Sequence, residues 1–566
     1  MDKFEIANAL RETGALISAA GGNPYKARAY ITGAKSVESL QRDIGTLVAE
    51  KRLVEVPGIG ASLAAAIEEL YITGTSRVLT RLKEEMPPGI IELSNVPGLT
   101  TKRIQAIHDA LGVKSIDELE AACLAGTLRS VKGFGEKLEK TILEGINSYR
   151  TKQHQVLLHE ARRLGNEIVA YLKPSLEGNH VEIAGEIRRW YESVNCVQIV
   201  AEAENRNKAI KSFKKLPMVT EVEEERTDYV RVRLADGMRA ELFLADCFAT
   251  KLIEVTGSDA HFQRLQRHAA DQGFELTGQG LSKDANEIDV RTEKSVYKTI
   301  GLNLIPPEMR EDLGEVEDAS ASDFSDLIQI EDIRGMTHCH TTFSDGRHTV
   351  EEMARAAEKM GMQYLTITDH SPLAHYAGGL TIDDLKQQWD EIDRVQEIVD
   401  IKLLKGTECD ILADGKLDYP DAILERFDLI IASVHSRFKL DEKQMTTRLL
   451  NCMKNSHFKI WGHPLGRLVL RRDPIACDVE KVLDAVAESK AAIEINGDPH
   501  RLDLEPRWAR AARERGIKFV ISTDAHSTGD YRNLKYGIHM ARRAGIKRKD
   551  VLNTRSHDDF KSSVKP

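Results

Sequence analysis

The sequence predicts a multidomain chain built from three kinds of fold: an all-α N-terminal region, an α+β middle and a C-terminal (β/α) barrel. Three observations predict it. A Val-x-Gly turn recurs between helical patterns at the N-terminus, short strand-like runs with a hairpin signal follow, and from residue 333 apolar runs of strand length alternate with amphipathic helical patterns. At 566 residues the chain is too long for a single core. The N-terminus MDKFEIANAL has no basic-then-apolar signal pattern, and no stretch has the uninterrupted apolar length that spans a bilayer, so a cytoplasmic protein without membrane contact is expected. Seven cysteines include no C-x-x-C pair, which argues against a zinc ribbon or a disulfide framework and fits a reducing compartment. With a net charge of −10, any binding to nucleic acid must come from local contacts.

The N-terminal repeat reads Val56-Pro57-Gly58-Ile59-Gly60, Val96-Pro97-Gly98-Leu99-Thr100 and Val131-Lys132-Gly133-Phe134-Gly135. Glycine permits a tight turn with positive φ and leaves backbone N–H groups open at the start of the next helix, where an anion is favoured. That is the logic of the helix-hairpin-helix motif, which holds a nucleic-acid backbone without reading its sequence. An ordinary αα-hairpin with a glycine cap would look the same in one copy. Repetition, with Lys137 and Lys140 after the third turn, favours DNA-backbone contact through Gly58, Gly60, Gly98, Gly133, Gly135 and Lys137.

In the middle region, His159-Glu160-Ala161-Arg162-Arg163 opens a helix, and the strand Val181–Ala184 leads into Gly185-Glu186-Ile187-Arg188-Arg189. Together with Asn23–Tyr30 and Gly301–Pro307, these segments resemble family X DNA polymerases of the bacterial type. The resemblance implies helix-hairpin-helix domains over residues 1–75 (lyase-like) and 76–150 (fingers-like), a nucleotidyltransferase-like palm over 151–245 and a thumb-like domain over 246–315. It also exposes departures. The family's Gly-Ser-x-Arg-Arg carries a serine that contacts the nucleotide triphosphate, and Glu186 stands there. After Glu192, the Asp-x-Asp pair that holds two magnesium ions in the family reads Cys196-Val197-Gln198. The third family carboxylate corresponds to Glu241. A thiol and a neutral amide cannot hold two hard cations, and one carboxylate cannot build a two-metal clamp. Templated polymerisation is therefore expected to be absent.

Residues 311–332 are rich in Asp, Glu, Ser and Ala, and 316–332 reads as a linker. Beyond it, the runs Tyr364–Thr368, Ile401–Leu404, Leu429–Val434, Ala491–Ile495 and Phe519–Ile521 read as strands of a parallel barrel. His370, Glu408, His435, His463 and Asp524 are each placed just past a strand's C-terminal end, the face on which barrel active sites are built. His338 with His340, and Asp524 with His526, are spaced so that each pair points to one side of an extended chain and can converge on one ion. Asp345 is near enough to fold back as a further ligand. Mixed imidazole and carboxylate ligands suit a catalytic divalent-metal site.

The motifs Thr337-His338-Cys339-His340, Thr368-Asp369-His370-Ser371, Val434-His435-Ser436, Gly462-His463-Pro464 and Thr523-Asp524-Ala525-His526 resemble the PHP (polymerase and histidinol phosphatase) domain, over residues 333–566. That resemblance implies a distorted (β/α)₇ barrel with about three divalent metals, manganese first and zinc or iron as alternatives. Clustered ions of this kind turn water into a hydroxide nucleophile near neutral pH and neutralise the attacking and leaving oxygens of a phosphate ester. Arg437 and Arg501 are phosphate-contact candidates because guanidinium forks match phosphate oxygens, although each could serve a structural ion pair instead. Three functions follow: a 3′-to-5′ DNA exonuclease, with abasic-site cleavage as a possible addition; a phosphatase of small monoesters; or a DNA-binding repair scaffold. The first implies gapped, nicked or single-stranded DNA as substrate, a nucleoid association when bound, and other repair proteins, an active polymerase among them, as partners.

Overall fold

The computed structural model describes residues 1, 3–19, 23–38, 40, 44–56, 58–85, 93, 96, 99–152, 155–176 and 180–565. It divides into two compact units, residues 1–153 and 154–566. In the first, helices Lys3–Ala19, Pro24–Glu38, Ile44–Ala49, Ala61–Thr73 and Arg77–Glu85 close over Ile6, Leu10, Leu16, Ile67 and Leu70. Helices Thr101–Leu111, Ile116–Leu124 and Glu136–Lys152 enclose a separate core around Ile104, Ile107, Leu119 and Ile142. The repeated turns share one geometry: Ile59 N–H donates to Val56 O at 3.0 Å, Leu99 to Val96 O at 3.1 Å and Phe134 to Val131 O at 3.0 Å. Gly58 and Gly133 sit at φ +86° and +93°, where a side chain is strained. A Cβ at Gly60 or Gly135 would meet nothing within 4 Å, so the starts of the following helices are open to an approaching phosphate. Gly98 lies outside the described residues.

The second unit opens with a small ladder of β1 (Val156–Leu157) and β3 (Ser193–Val194), then a five-stranded sheet ordered β2 (Val181–Ile183), β4 (Cys196–Ala201), β7 (Arg239–Leu244), β6 (Tyr229–Leu234), β5 (Val219–Glu225). Only β4 and β7 pair in parallel, which sets Cys196 against Arg239 and Gln198 against Glu241. A three-stranded sheet of β8 (Glu275–Thr277), β9 (Gly280–Lys283) and β10 (Asn286–Ile288) lies in the thumb-like part. The acidic stretch expected to be a linker is folded. Val316, Ala319, Phe324 and Leu327 join the thumb-like core and Ile328 the barrel core. Its carboxylates have partners that sequence does not reveal: Glu317 accepts from Arg264 Nε at 2.6 Å, Asp326 lies 2.7 Å from Lys547 Nζ and Asp332 3.4 Å from Arg548 Nε, while Glu315 just before it accepts backbone N–H groups of Glu311, Asp312 and Leu313 at 3.1, 2.8 and 2.6 Å and lies 2.5 Å from His261 Nδ1.

The C-terminal strands form one parallel sheet in chain order: β11 (Gly335–Met336), β12 (Tyr364–Ile367), β13 (Lys402–Asp410), β14 (Leu429–Ser433), β15 (Ile460–Trp461), β16 (Ala492–Asn496) and β17 (Phe519–Ser522). A parallel bridge between Cys339 and Ala525 joins the continuations of β11 and β17 and closes the barrel. Buried on both faces, β12, β14, β16 and β17 are apolar almost throughout, as parallel strands covered by helices must be. One cluster of Tyr364, Leu404, Leu429, Ile431, Ile460, Ala492 and Val520 also takes in Phe560 and Val564 of helix His557–Val564, with the Tyr364 and Phe560 rings stacked 4.9 Å apart.

The palm-like and thumb-like parts are pinned to the barrel by buried carboxylates. Glu308 accepts from His539 Nδ1 at 2.5 Å and Arg542 Nε at 2.9 Å, while Trp190 stacks on the His539 ring with centroids 3.5 Å apart. Glu293 of the thumb-like part is forked by Arg188 of the palm-like part (2.8 and 2.7 Å) and meets the fully buried Arg310 at 2.6 Å. Burial alone would raise both carboxyls, yet Arg310 and Arg188 hold Glu293 at about 2, and His539 and Arg542 hold Glu308 at about 2, against an ordinary 4.5. Both pKa values are depressed, so the stabilisation is complete above pH 4.5 and is lost as pH falls toward 2. The Glu293 pair contributes on the order of 3 kcal/mol at neutral pH, whereas burial lowers His539 and leaves Arg542 as the charged partner of Glu308 there. Calorimetry between pH 7 and pH 3 is expected to show Tm falling steeply below about pH 4.5. Glu293→Gln is expected to start lower and fall less.

Candidate metal centre

The C-terminal ends of the barrel strands gather a dense set of imidazoles and carboxylates. Parity along each strand explains which residues enter. On β13, Leu404, Gly406, Glu408 and Asp410 alternate with residues of the other face, and on β16 Ala492, Glu494 and Asn496 do the same. Glu408 thus lies inside β13, not past its end, because the strand runs on to Asp410 beyond the Ile401–Leu404 run that the sequence suggested. Its continuation pairs with β14 from Gly406↔Leu429 to Asp410↔Ser433. At Gly406, a Cβ would stand 2.6 Å from Thr366 Cγ2, so only glycine lets β13 lie that close to β12.

The ligand atoms fall into three overlapping groups, each within 4.8 Å: His340, Asp345, His370 and His526; His338, His340, Glu408 and Asp524; and His370, Glu408 and His435. His463 joins the last, with Nε2 at 2.6 Å from Glu408 Oε1 and 3.3 Å from His435 Nε2. His340, His370 and Glu408 are each shared between two groups. Asp524 and His526 do not serve one group, contrary to the spacing argument. Asp524 has φ +50°, which breaks the extended run and sends His526 Nε2 to Asp345 Oδ2 at 3.0 Å. Asp369 is not available to a cation: Thr341 N–H (2.8 Å), Thr341 hydroxyl (2.6 Å), Gln388 amide (2.6 Å) and Ser344 hydroxyl all donate to it.

This donor set fits divalent ions. His338 Nε2, His340 Nδ1, His370 Nδ1 and Glu408 Oε2 are buried without a hydrogen-bond partner, and the facing nitrogens of His435 and His463 cannot satisfy each other while both approach one carboxylate oxygen. Burial would push Glu408 up, but His435, His370, His338 and His463 hold it well below the usual carboxylate range. His526 would be lowered by burial, yet Asp345 pushes it up to about 10, whereas burial and the neighbouring His526 lower His340.

Two supporting carboxylates were not foreseen from sequence. Glu494 accepts from His338 Nδ1 at 2.6 Å, His463 N–H at 2.5 Å and Ser522 hydroxyl at 2.5 Å, which leaves His338 Nε2 for the cluster. Asp410 Oδ1 lies 3.3 Å from His435 Nδ1, within ion-pair distance, and both Asp410 oxygens are buried without a hydrogen-bond partner. For Glu494 the available signal was a carboxylate inside the apolar run Ala491–Ile495. At the rim, Arg501 Nε is 3.1 Å from Asp524 Oδ2. Arg437 is exposed, two residues past His435, and no hydrogen bond or ion pair of its side chain occurs among the described residues. Tyr376, 44 % exposed, places its ring 6.5 Å from that of His370 and overhangs the cluster.

In the palm-like part, Glu186, Cys196, Gln198 and Glu241 all line one cleft of about 840 Å³. Glu241 is fully engaged: Gln198 Nε2 donates at 2.9 Å, Tyr229 hydroxyl at 2.9 Å and Arg231 Nε at 2.7 Å. Burial and Glu241 push the Cys196 thiol well above its ordinary value, so it carries no charge. The nearby Asp236 caps Met238 N–H at 3.0 Å in the hairpin turn and Asp246 pairs with Arg206, so neither reaches this cleft.

Comparison with known proteins agrees with this layout. A helix-hairpin-helix domain matches residues 1–76, a SAM-like helix-hairpin-helix tandem 90–148, the DNA polymerase beta thumb 251–311 and the PHP domain 337–498. The chain is 33% identical over 572 aligned positions, covering 100% of both chains, to the "DNA polymerase/3'-5' exonuclease PolX" of Bacillus subtilis (strain 168). Its barrel is 34% identical over 235 residues to a probable phosphatase of Thermoanaerobacter sp. (strain X514), an alignment that spans 38% of this chain and 89% of that one. A probable phosphatase of Caldicellulosiruptor bescii is 29% identical over 204 residues, 34% and 80% of the two chains.

Proposed function

Because the chain belongs to the family X DNA polymerases that carry a C-terminal PHP domain, we propose that it is a metal-dependent phosphoesterase that shortens DNA from 3′ ends and that its palm-like region no longer polymerises. The observation that carries this reading is the set of three overlapping ligand groups linked through His340, His370 and Glu408, in a chain that also bears open-fronted helix-hairpin-helix turns. His338, His340, Asp345, His370, Glu408, His435, His463, Asp524 and His526 would hold the ions, one per group, with manganese the first choice and zinc or iron as alternatives. Bound divalent ions supply water activation near neutral pH and offset negative charge on the phosphate oxygens.

The chain's own residues do the rest. Glu494 fixes which nitrogen of His338 faces the cluster. Arg501, aimed at Asp524, and the exposed Arg437 reach phosphate oxygens from two sides of the rim. Gly58, Gly60, Gly98, Gly133, Gly135 and Lys137 hold the DNA backbone without reading sequence. Of the three positions that match the family's metal-binding carboxylates, only Glu241 keeps a carboxylate, and it already accepts three hydrogen bonds. Such an enzyme trims ends in the cytoplasm and leaves the product to a separate polymerase.

Purified protein with Mn²⁺ is expected to shorten 5′-labelled gapped and single-stranded DNA. EDTA, or His338→Ala with His340→Ala, is expected to stop the reaction. A second reading, hydrolysis of small phosphomonoesters, draws on the likeness of the barrel to probable phosphatases. Phosphate release from such monoesters with DNA left intact would put it in place of the first.

A further inference from the structure

Glu192 stands in the stretch where the family's polymerase motif has lost its aspartates, yet it matches the family's glutamate and is largely buried. Its partners are not in the palm-like part at all. Oε2 accepts from Arg543 Nη1 at 2.7 Å and Oε1 from Arg467 Nη2 at 3.2 Å, both arginines of the barrel. Burial would raise this carboxyl, but Arg543 and Arg467 hold it at about 2. Arg467 lies four residues past His463, and its guanidinium is fully employed: Nε donates to Arg501 O at 2.9 Å, Nη2 to Leu502 O, and Nη1 meets Glu505 at 3.0 Å. The loop it grips is the one from which Arg501 reaches Asp524 Oδ2 at 3.1 Å. A path of hydrogen bonds, closed by the Arg501–Asp524 ion pair, therefore runs from the palm-like part through Arg467 and the backbone of Arg501 to the rim of the cluster.

We propose that Glu192 is a positioning residue of the hydrolytic centre, which through Arg467 sets the loop that aims Arg501 at Asp524 and at a phosphate of the substrate. The inference rests on the phosphoesterase reading for Arg501 alone. Without Glu192, the Arg467 fork is left with Glu505 and two carbonyls and is free to turn toward Glu505, and the loop from Arg501 to Leu502 loses its fixed anchor. A palm that has lost its own chemistry is thereby retained as a wall of another active site. An interface salt bridge that served stability alone would occupy the same place, so the test must separate the two.

The separation is a double-mutant cycle on the full chain loaded with Mn²⁺, read as KM for a 5′-labelled oligonucleotide and, independently of catalysis, as the Kd of inorganic phosphate by titration calorimetry. Glu192→Gln is expected to raise both by about tenfold, with a smaller change in kcat, and to add less than about twofold once Arg501→Ala is present, because residues acting through one another are not additive. Arg467→Lys, which keeps the charge for Glu192 but cannot fork onto the carbonyls of residues 501 and 502, is expected to reproduce the KM effect with Tm close to wild type. It serves where Glu192→Gln folds poorly. Glu308→Gln breaks a buried pair at the same boundary with no path to the cluster, and is expected to lower Tm while leaving KM within about twofold. Full additivity with Arg501→Ala, or an equal rise in KM from Glu308→Gln, would overturn the proposal. Should the wild type leave DNA intact, the phosphate Kd still reads the aim of Arg501, so the two readings fail separately.

Discussion

Glu408→Gln is expected to lower DNA hydrolysis by at least about 10³-fold and to remove the rise in Tm that Mn²⁺ gives the wild type. Among the residues at the cluster, Glu408 is the hub. Its oxygens lie 2.6 Å from His463, 3.0 Å from His435, 3.0 Å from His370, 3.5 Å from His338 and 3.6 Å from His340. Glutamine preserves shape and removes the one negative charge that all these imidazoles surround, so two of the three groups lose their shared anionic oxygen together. His526, by contrast, belongs to a single group and its side chain is 34% exposed. His526→Ala is expected to cost only about 10- to 100-fold. Activity assays on both variants, with thermal shifts at increasing Mn²⁺, check the ranking. A His526 variant more damaged than the Glu408 variant would mean that the centre is organised around Asp345 instead.

The wild-type protein is expected to add no nucleotide to a gapped primer with Mg²⁺ or Mn²⁺, and the reason is measurable without a polymerase assay. Cys196→Asp with Gln198→Asp replaces a donor to Glu241 with a like charge on the paired position of the neighbouring strand. In metal-free buffer this is expected to destabilise the protein by on the order of 2–4 kcal/mol, since buried carboxylates so close cannot all ionise unopposed. Mg²⁺ is expected to restore most of that loss. Measured in the Glu408→Gln background, which silences the barrel, Tm is expected to respond to Mg²⁺ only when both aspartates are present. Primer extension by the wild type, or a Mg²⁺ response of its cleft, would show that Glu241 exchanges its three donors for a cation.

Much of the metal cluster was legible because histidines at strand ends obey a rule that residue order alone displays. The supporting residues were not, since Glu494 reads as one polar position in Ala492–Asn496 and gains meaning only from His338, 156 residues away. Asp524 illustrates a different limit: the i, i+2 argument assumes extended backbone, and a single left-handed residue defeats it. Acidic composition misled at residues 316–332 because disorder follows from unpaired like charges, whereas Glu317 meets Arg264, Asp326 meets Lys547 and Asp332 meets Arg548. The tie between Glu192 and Arg467 spans 275 residues and joins parts that the sequence presents as separate folds. No local pattern marks such a pair.

The bridge that closes the barrel also orders events in time. His340 and Asp524 are 184 residues apart and are brought together only when the continuation of β17 pairs with that of β11. Closing so long a loop costs entropy before any contact compensates it, which makes this zipping a late step and a slow one. During synthesis, a nascent chain that has exposed His338, His340, His370 and Glu408 holds a half-circle of ligands open to solvent until the last strand arrives. Closure of the barrel thereby completes the second group with Asp524 and the first with His526, whereas His370, Glu408 and His435 of the third all precede residue 519.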